Sequence, residues 1–497
     1  MHTALPRIIA GVLALTAGGS AVPAATAPIK AGSVTITVGA EPRQTFAGLG
    51  ASSSAGGGRS YMQLAPERRA RLNALLWHDA RFNTLRLWFA LKKYTPAPGE
   101  RRFKDAFPDE WAALIRDAQA AGVKHLVLAP CGVPAYLLER LPTTGKDGKE
   151  KTGTPHLKPD LFAEHAAILA DFIRDAQSQH HIAIEATGLQ NEPNTGNDCQ
   201  FQPADVVRSV KLLRAALNAR GLQQVQIIAP ETASCDGVAY AMVDALKADA
   251  AAWQALAGVA THSYNMGATQ RLADMLAGTG KDYWQTEASV TGPEEPGDCY
   301  RAATVATTFL SDMNHRVTHW IHFIGYLATD PRDNGTRIMA YDGKVDGDGW
   351  LKIFTKYYYF QQLAQTFEVG AVFRQSFSSL EKEMTWTYGH KPRITAAAAR
   401  NPDGSWGLGI SNFTSDDFPQ KNQFQKDNCG RAAQSFTVTV NVAELAQAGE
   451  LRFAARRSGP QARNASEEPV TMRDGQLTVT IHPLELVTLR SSPRQHL

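Results

Sequence analysis

Short apolar runs alternate with amphipathic stretches of helical length between residues 46 and 367. The runs are rich in β-favouring residues, and each is followed by apolar side chains at helical spacing. Because roughly eight such units in one segment favour a closed parallel barrel over an open sheet, we predict a (β/α)8 TIM barrel. The predicted barrel strands are 47–51, 82–89, 125–130, 182–186, 225–231, 258–264, 282–289 and 319–324. The predicted helices are 65–77, 111–121, 159–177, 204–219, 238–246, 270–277, 302–313 and 350–363.

The hydrophobic period changes near residue 368. Strand-like segments joined by turn dipeptides such as Asp403-Gly404 follow, and an alternating segment also occurs before the barrel, at 33–38. We therefore predict an antiparallel β-sandwich side domain built from both chain ends. It would comprise residues 33–45 plus 368–492 and be attached to a catalytic barrel at 46–367.

The first residues have the pattern of an export signal. Arg7 supplies positive charge, residues 8–17 are apolar, and Val22-Pro23-Ala24 offers a small-residue cleavage site. We predict a signal peptide at 1–24 and expect a secreted or periplasmic protein. No later apolar run has membrane-spanning length, so we expect no membrane span.

Composition narrows the classes of partner. The chain of 497 residues is 43% hydrophobic and carries a formal net charge of +3, which gives no electrostatic case for nucleic acid. Its five cysteines have no metal-ligand spacing, and we expect neither a metal nor a cofactor. We expect Cys199 and Cys235 to form a disulfide if any pair does, because both follow predicted strand ends by a few residues.

Two glutamates lie where predicted barrel strands end. Glu192 occurs in an Asn-Glu-Pro motif after the fourth strand, and Glu287 lies at the end of the seventh. Cleavage of an acetal through an oxocarbenium-like transition state requires a proton donor and a second carboxylate across the sugar. This pair predicts a glycosidase. Glu231, at the fifth strand end, is the reserve candidate.

Other residues on the predicted strand ends are candidates for substrate binding. Asn191 is placed to bind the sugar 2-hydroxyl, and Arg86 is placed to keep Glu287 ionised. His262 and Tyr264 alternate along the sixth strand, so both can face the barrel mouth.

We also count Trp320 as a substrate-binding candidate. Tryptophans on barrel strands, here Trp88, Trp284 and Trp320, are nevertheless more often core than sugar platforms.

His315 and His319 have the spacing of a helical zinc pair, but without a third ligand we assign them to the surface between a helix and a strand.

The whole pattern resembles the retaining β-glycosidases of the (β/α)8 clan A, and within it glycoside hydrolase family 30. The matching segments are Phe46-Ala47-Gly48-Leu49-Gly50-Ala51, Leu157-Lys158-Pro159, Gln190-Asn191-Glu192-Pro193, Thr286-Glu287 and Lys356-Tyr357-Tyr358. The resemblance implies that Glu192 is the general acid/base, Glu287 the nucleophile, and a β-linked glycan the substrate. Family members commonly carry an aromatic residue and a serine where this chain has Cys131-Gly132-Val133-Pro134, so one subsite wall differs.

Three functional alternatives remain at this level. The first is a retaining β-glycosidase acting on β-1,6-glucan or galactan, glucuronoxylan, or a β-glucoside such as a glucosylceramide-like lipid. The second is a non-catalytic carbohydrate-binding protein on a hydrolase scaffold, against which the presence of both glutamates counts. The third is an inverting enzyme, which would hold its carboxyl groups farther apart.

Overall fold

The computed structural model describes residues 30–144, 150–196, 198–387, 389–416 and 432–493. The predicted signal peptide and Cys429 lie outside them. The strands are β1 Lys30–Thr45, β2 Gly48–Ser54, β3 Phe82–Ala90, β4 His125–Cys131, β5 Leu138–Thr144, β6 Glu150–Leu157, β7 Ala186–Thr187, β8 Gln226–Thr232, β9 Gly258–His262, β10 Asp282–Ala288, β11 His319–His322, β12 Tyr326–Ala328, β13 Met339–Tyr341, β14 Leu351–Ile353, β15 Val372–Ser378, β16 Ile394–Arg400, β17 Trp406–Asn412, β18 Gln434–Val442, β19 Glu450–Gly459, β20 Ala462–Arg473, β21 Gln476–Ile481 and β22 Leu486–Ser491. The α-helices are α1 Ala55–Tyr61, α2 Pro66–Asn73, α3 Leu91–Tyr94, α4 Phe103–Ala106, α5 Asp109–Ala121, α6 Phe162–His180, α7 Pro203–Asn218, α8 Gly237–Ala248, α9 Ala250–Ala255, α10 Gln270–Leu276, α11 Cys299–Asn314 and α12 Thr355–Thr366.

The predicted parallel barrel is confirmed. Strands β2, β3, β4 and β7 to β11 pair in chain order and close into a ring. A buried apolar layer fills its interior, so the barrel is a packed core with its working face where the strands end. The layer consists of Val127, Ala186, Ile228, Ala260, Trp284 and Ile321.

The fourth barrel strand is shorter than predicted. Only β7 is regular strand, although 182–186 was expected to be extended. The ladder nevertheless continues through Glu185, whose backbone N–H donates to the Leu126 carbonyl and whose carbonyl accepts from Gln226. Between β4 and α6, strands β5 and β6 pair antiparallel outside the barrel ring.

The side domain uses both ends of the chain, as predicted. Among the described residues, β1 and β15 to β22 form a closed ring of nine strands. Strand β1 pairs antiparallel with β15 but parallel with β18, so the domain is antiparallel except at this one pairing. Its core is separate from the barrel core and consists mainly of aliphatic side chains from alternating strand positions.

Helices α11 and α12 join the two domains. On α11, Thr307 lies 2.8 Å from the Ser411 hydroxyl, and Asn314 Nδ2 donates to the Ala396 carbonyl at 2.8 Å. On α12, Gln362 Nε2 donates to backbone carbonyls of β19 and β22. Because buried polar groups of the barrel helices are satisfied by side-domain strands, neither domain can be removed without exposing unpaired groups.

Two predictions about local chemistry are wrong. Cys199 and Cys235 are free buried thiols: Cys235 Sγ lies 3.5 Å from the Thr269 hydroxyl, whereas Cys199 contacts the backbone of Leu157. His315 is buried rather than on the surface, and burial lowers its pKa to about 4.

No helix in the described parts of the chain combines the length and apolarity needed to cross a bilayer.

Gly407 provides a test of the domain interface. A Cβ at this position would collide with the backbone oxygen of Thr366 at the end of α12. We expect Gly407→Ala to lower the free energy of unfolding by about 1–3 kcal/mol, as overpacking of a close contact does. Chemical denaturation followed by circular dichroism measures this change.

Gly237→Ala is the matched control. A Cβ at Gly237, in the first turn of α8, would meet nothing within 4 Å. This change should leave stability unaltered or raise it by up to about 1 kcal/mol. Equal stability of the two variants would contradict the close packing of α12 on β17.

Candidate active site

Five of the polar side chains predicted for the site come together at the barrel mouth. Arg86 projects from β3, Glu192 follows β7, His262 ends β9, Tyr264 follows it, and Glu287 lies on β10. Because all of these strands are parallel and end at one face, side chains far apart in sequence meet there.

The guanidinium of Arg86 is the centre of this cluster. It is fully buried and donates to Glu287 Oε2 at 2.6 Å, to Asn191 Oδ1 at 3.0 Å and to Glu231 Oε2 at 3.0 Å. Burial acts to lower the pKa of Arg86, but the charges of Glu231 and Glu287 outweigh it and raise that pKa above its usual value. Arg86 therefore stays charged.

Both oxygens of Glu287 are held. Arg86 binds Oε2, and the Tyr264 hydroxyl donates to Oε1 at 2.5 Å. Burial and the neighbouring charge of Glu287 raise the pKa of Tyr264 well above its usual value, so the phenol keeps its proton. The Glu287 carboxylate, only 3% exposed, is consequently fixed in one orientation.

Glu192 is less buried than Glu287, and its carboxylate has one close side-chain partner among the described residues. Its Oε1 lies 3.2 Å from His262 Nδ1, and its side chain is 20% exposed. Burial acts to raise the pKa of Glu192, but the hydrogen bond and charge of His262, with the charge of Arg86, bring it below its usual value. A general acid must hold a proton before reaction. The surroundings of Glu192 instead favour its ionised form in the free protein.

The two carboxylates are close together. One ligand atom each from Glu192, His262 and Glu287 lies within 4.8 Å of the others, so a Glu192 oxygen is within 4.8 Å of a Glu287 oxygen. Such a triad also has the composition of a cation site. The fixed charge of Arg86, 2.6 Å from Glu287, opposes a cation at this position.

Glu231, the reserve candidate, is placed as a partner of Arg86 and not towards the mouth. Its side chain is 1% exposed and pairs with the guanidinium. Gly188 makes room for it, since a Cβ there would lie 2.8 Å from Glu231 Oε2. Sequence reasoning missed this supporting role, although the strand-end position of Glu231 was visible.

Asn191 lies beside Arg86, immediately before Glu192. Its backbone N–H donates to the Pro130 carbonyl at 2.7 Å, which fixes the chain immediately before Glu192. Its Oδ1 accepts from Arg86, and its Nδ2 donates to no group in the described residues. That amide is therefore free to donate to a ligand.

Trp320 does not line the mouth. It has no exposed surface and packs between α11 and α12 against Phe309 and Phe360. Its indole N–H donates to Asp312 Oδ2 at 2.8 Å, and the same oxygen accepts from Ser263, the neighbour of Tyr264. The sugar-contact prediction for Trp320 is wrong: the residue supports the loop that carries Tyr264.

Trp88 forms an aromatic pair at the mouth, although a tryptophan on a barrel strand is more often core than a sugar platform. Trp88 lies two positions after Arg86 on β3, and its ring is 5.1 Å from that of Phe323. Both are partly exposed. Since the backbone N–H of Phe323 donates to Ala288, which follows Glu287, this apolar pair stands beside the carboxylates.

Asp312 is the buried carboxylate behind this loop. It accepts from the Ser263 hydroxyl, the Ala268 N–H and the Trp320 indole. Burial raises the pKa of Asp312 to about 7, while the three hydrogen bonds act in the opposite direction. The residue touches no exposed part of the mouth and acts only through the segment that positions Tyr264.

Comparison with known proteins identifies the type of scaffold. The family model described as glycosyl hydrolase family 59 matches residues 152–342, which include β7 to β11 and both glutamates. A comparison with curated protein sequences gave no match.

Several solved structures share the complete two-domain architecture. The catalytic domain of family 30 xylanase C from Talaromyces cellulolyticus superposes with a TM-score of 0.67 at 16% identity, covering 92% of this chain and 100% of that one. A family 30 endoxylanase from Clostridium papyrosolvens gives 0.64 at 15% identity, with coverage of 93% and 100%. The endo-β1,6-glucanase BT3312 gives 0.59 at 18%, with coverage of 93% and 94%. These similarities show the fold of clan A glycoside hydrolases.

His262→Phe tests the electrostatics of Glu192. The change keeps a ring of similar size but removes the hydrogen bond and charge that lower the pKa of Glu192. Burial, which raises the pKa of Glu192, is then no longer offset by His262, so we expect that pKa to rise. A carbon-13 NMR titration of glutamate side-chain carboxyls in wild type and variant measures the shift.

His165→Phe is the control, because His165 is buried and packs against Phe201 away from the mouth. It should leave the titration of Glu192 unchanged. An unaltered Glu192 titration in His262→Phe as well would contradict the contact between these two residues.

Proposed function

We propose that the protein is a retaining β-glycosidase of the family 30 type that cleaves β-linked glycans by double displacement. The observation that carries the proposal is the separation of the carboxylates. A Glu192 oxygen lies within 4.8 Å of a Glu287 oxygen, which is nearer to the spacing of about 5–5.5 Å typical of retaining enzymes than to the wider spacing of inverting ones. The scaffold and the side domain built from both chain ends support the assignment to family 30.

In the first displacement, a Glu287 oxygen attacks the anomeric carbon. The glycosidic carbon–oxygen bond breaks, and the leaving oxygen takes the proton of Glu192. Arg86 and Tyr264 hold Glu287 in place, so no rearrangement of the nucleophile is needed during attack.

Glu192 must be protonated for this step, although its surroundings favour ionisation in the free protein. Burial is the effect that raises the pKa of Glu192, and a bound sugar would cover the remaining 20% exposed fraction of its side chain. Substrate binding therefore favours the acid form. After glycosyl transfer, the ionised form is the one required, because Glu192 then removes a proton from water.

In the second displacement, that water attacks the anomeric carbon and releases Glu287. The bond between the sugar and Glu287 breaks, and the water proton passes to Glu192, which restores the starting state. Two inversions at one carbon return the original configuration.

Neighbouring groups supply sugar contacts. Asn191 Nδ2 is free to donate to the sugar, and a contact to the 2-hydroxyl would strengthen as positive charge develops on the ring. The rings of Trp88 and Phe323 provide an apolar wall on which a sugar face can pack.

The alternatives fit the geometry less well. An inverting enzyme needs roughly 6.5–9.5 Å between carboxyl groups to admit a water, which is more than the separation here. A non-catalytic binding protein has no need for a nucleophile held by both Arg86 and Tyr264.

We further propose that residues 1–24 direct export from the cytoplasm.

Glu192→Ala and Glu287→Ala should fail in different ways. Without Glu192, hydrolysis of substrates with poor leaving groups should fall by about a hundredfold to ten-thousandfold, the usual contribution of a general acid. Activated aryl glycosides should still be attacked, and added azide should speed turnover by replacing the base-activated water. Without Glu287, both substrate types should be inert. Steady-state kinetics on aryl β-glycosides and β-linked polysaccharides measures these differences.

Glu185→Ala is the matched control, since this half-buried glutamate precedes β7 at the opposite end of the barrel and pairs with His125. Its kinetics should equal those of wild type. Equal losses on activated and unactivated substrates in Glu192→Ala, without any response to azide, would contradict the acid/base role.

A further inference from the structure

A basic cleft opens between the segment after β2 and the segment after β3. It encloses a volume of about 530 Å³. The charged side chains that line this cleft, here called the basic cleft, are Arg59, Lys92, Lys93, Arg102, Lys104 and Asp105.

Most of the positive charge in the basic cleft is unneutralised. Arg102 pairs with Glu100 at 2.6 Å, but the other four cations form no ion pair with the described residues. All five cationic side chains are exposed. With Asp105 and Glu100 subtracted from the five cations, the cleft carries three net positive charges, as many as the whole chain.

The basic cleft lies on the same face as the candidate active site. Helices α1 and α3 begin directly after barrel strands β2 and β3, where the working face of the barrel is located. The Lys92 N–H donates to the Gly132 carbonyl at 2.8 Å, and Lys92 Cε lies 3.6 Å from where a Cβ on Gly132 would stand.

We propose that the basic cleft is a subsite for a negatively charged group, a carboxylate or a sulfate, carried by the glycan substrate. This inference rests on the proposed function. A glycan bound at Glu192 and Glu287 would extend over the barrel face. The basic cleft adjoins this face at Lys92, so such a glycan could place a substituent in the cleft. Neutral sugar hydroxyls would leave the charge of these unpaired cations uncompensated, whereas an anionic group would compensate it.

The residue types suit this ligand. The planar guanidinium groups of Arg59 and Arg102 can bind two oxygens of one anion, whereas Lys92, Lys93 and Lys104 act as point charges. Because all five side chains reach solvent, the attraction should weaken as salt is added.

Three polymers with one β-linked glucan backbone provide the test. They are hydroxyethylcellulose, which is neutral, carboxymethylcellulose, which bears carboxylates, and cellulose sulfate. Affinity electrophoresis of the full chain carrying Glu287→Ala measures a dissociation constant for each polymer without turnover. We expect tighter binding to an anionic polymer than to the neutral one. The anionic polymer with the lower dissociation constant identifies whether the cleft prefers carboxylate or sulfate.

The variant Lys92→Gln/Lys93→Gln should raise the dissociation constant for that anionic polymer by about two- to thirtyfold, the range for two exposed charge contacts. Binding to hydroxyethylcellulose should not change. The control is Lys124→Gln/Lys382→Gln, which removes the same charge from exposed lysines outside the cleft. It should bind all three polymers as the parent does.

Equal loss of anion binding in the two double variants would mean that only overall charge matters and would overturn the proposal. So would equal binding of the parent to neutral and anionic polymers. The assay is independent of hydrolysis: if no β-glycoside is cleaved by the wild-type protein but the Lys92/Lys93 variant still loses anion binding selectively, the proposed function fails while the cleft assignment stands.

Discussion

The buried guanidinium of Arg86 is the constraint on which the candidate site depends. A charge without solvent contact is costly unless it is paired and its hydrogen bonds are satisfied. Glu231 and Glu287 supply the compensating charges, and Asn191 supplies a further acceptor. Removing either carboxylate would leave the buried guanidinium with less compensating charge, so the pairing that keeps Glu287 in place also compensates the buried charge of Arg86.

The backbone is unusual at two strand ends of the candidate site. Glu192 and Glu231 both adopt positive φ, of 48° and 66°, a conformation that costs non-glycine residues on the order of 1–3 kcal/mol. The Glu192 N–H donates to the Glu231 carbonyl, so the two turns support each other. This backbone lets Glu231 reach Arg86 from behind while Glu192 faces the mouth.

Much of this organisation can be predicted from sequence patterns, and the predictions that are wrong have physical causes. Hydrophobic periodicity reveals the barrel because each strand–helix unit must bury one apolar face. The prediction for Trp320 neglected that successive side chains of a strand point to opposite faces. Ile321 packs inside the barrel, so Trp320 points outward to the helices. The role of Glu231 and the free state of Cys199 and Cys235 depend on side-chain directions across separate loops, which sequence spacing does not contain.

The stereochemical course of hydrolysis tests the central claim most directly. In the proposed double displacement, the approach of the Glu192 and Glu287 oxygens to within 4.8 Å leaves no room for a water between carboxylate and sugar, so Glu287 itself attacks first. Proton NMR of the first product from a β-linked substrate, recorded before mutarotation, gives the answer. The double-displacement account predicts the β-anomer. An initial α-anomer would contradict it, and with it the assignment of Glu287 as the nucleophile.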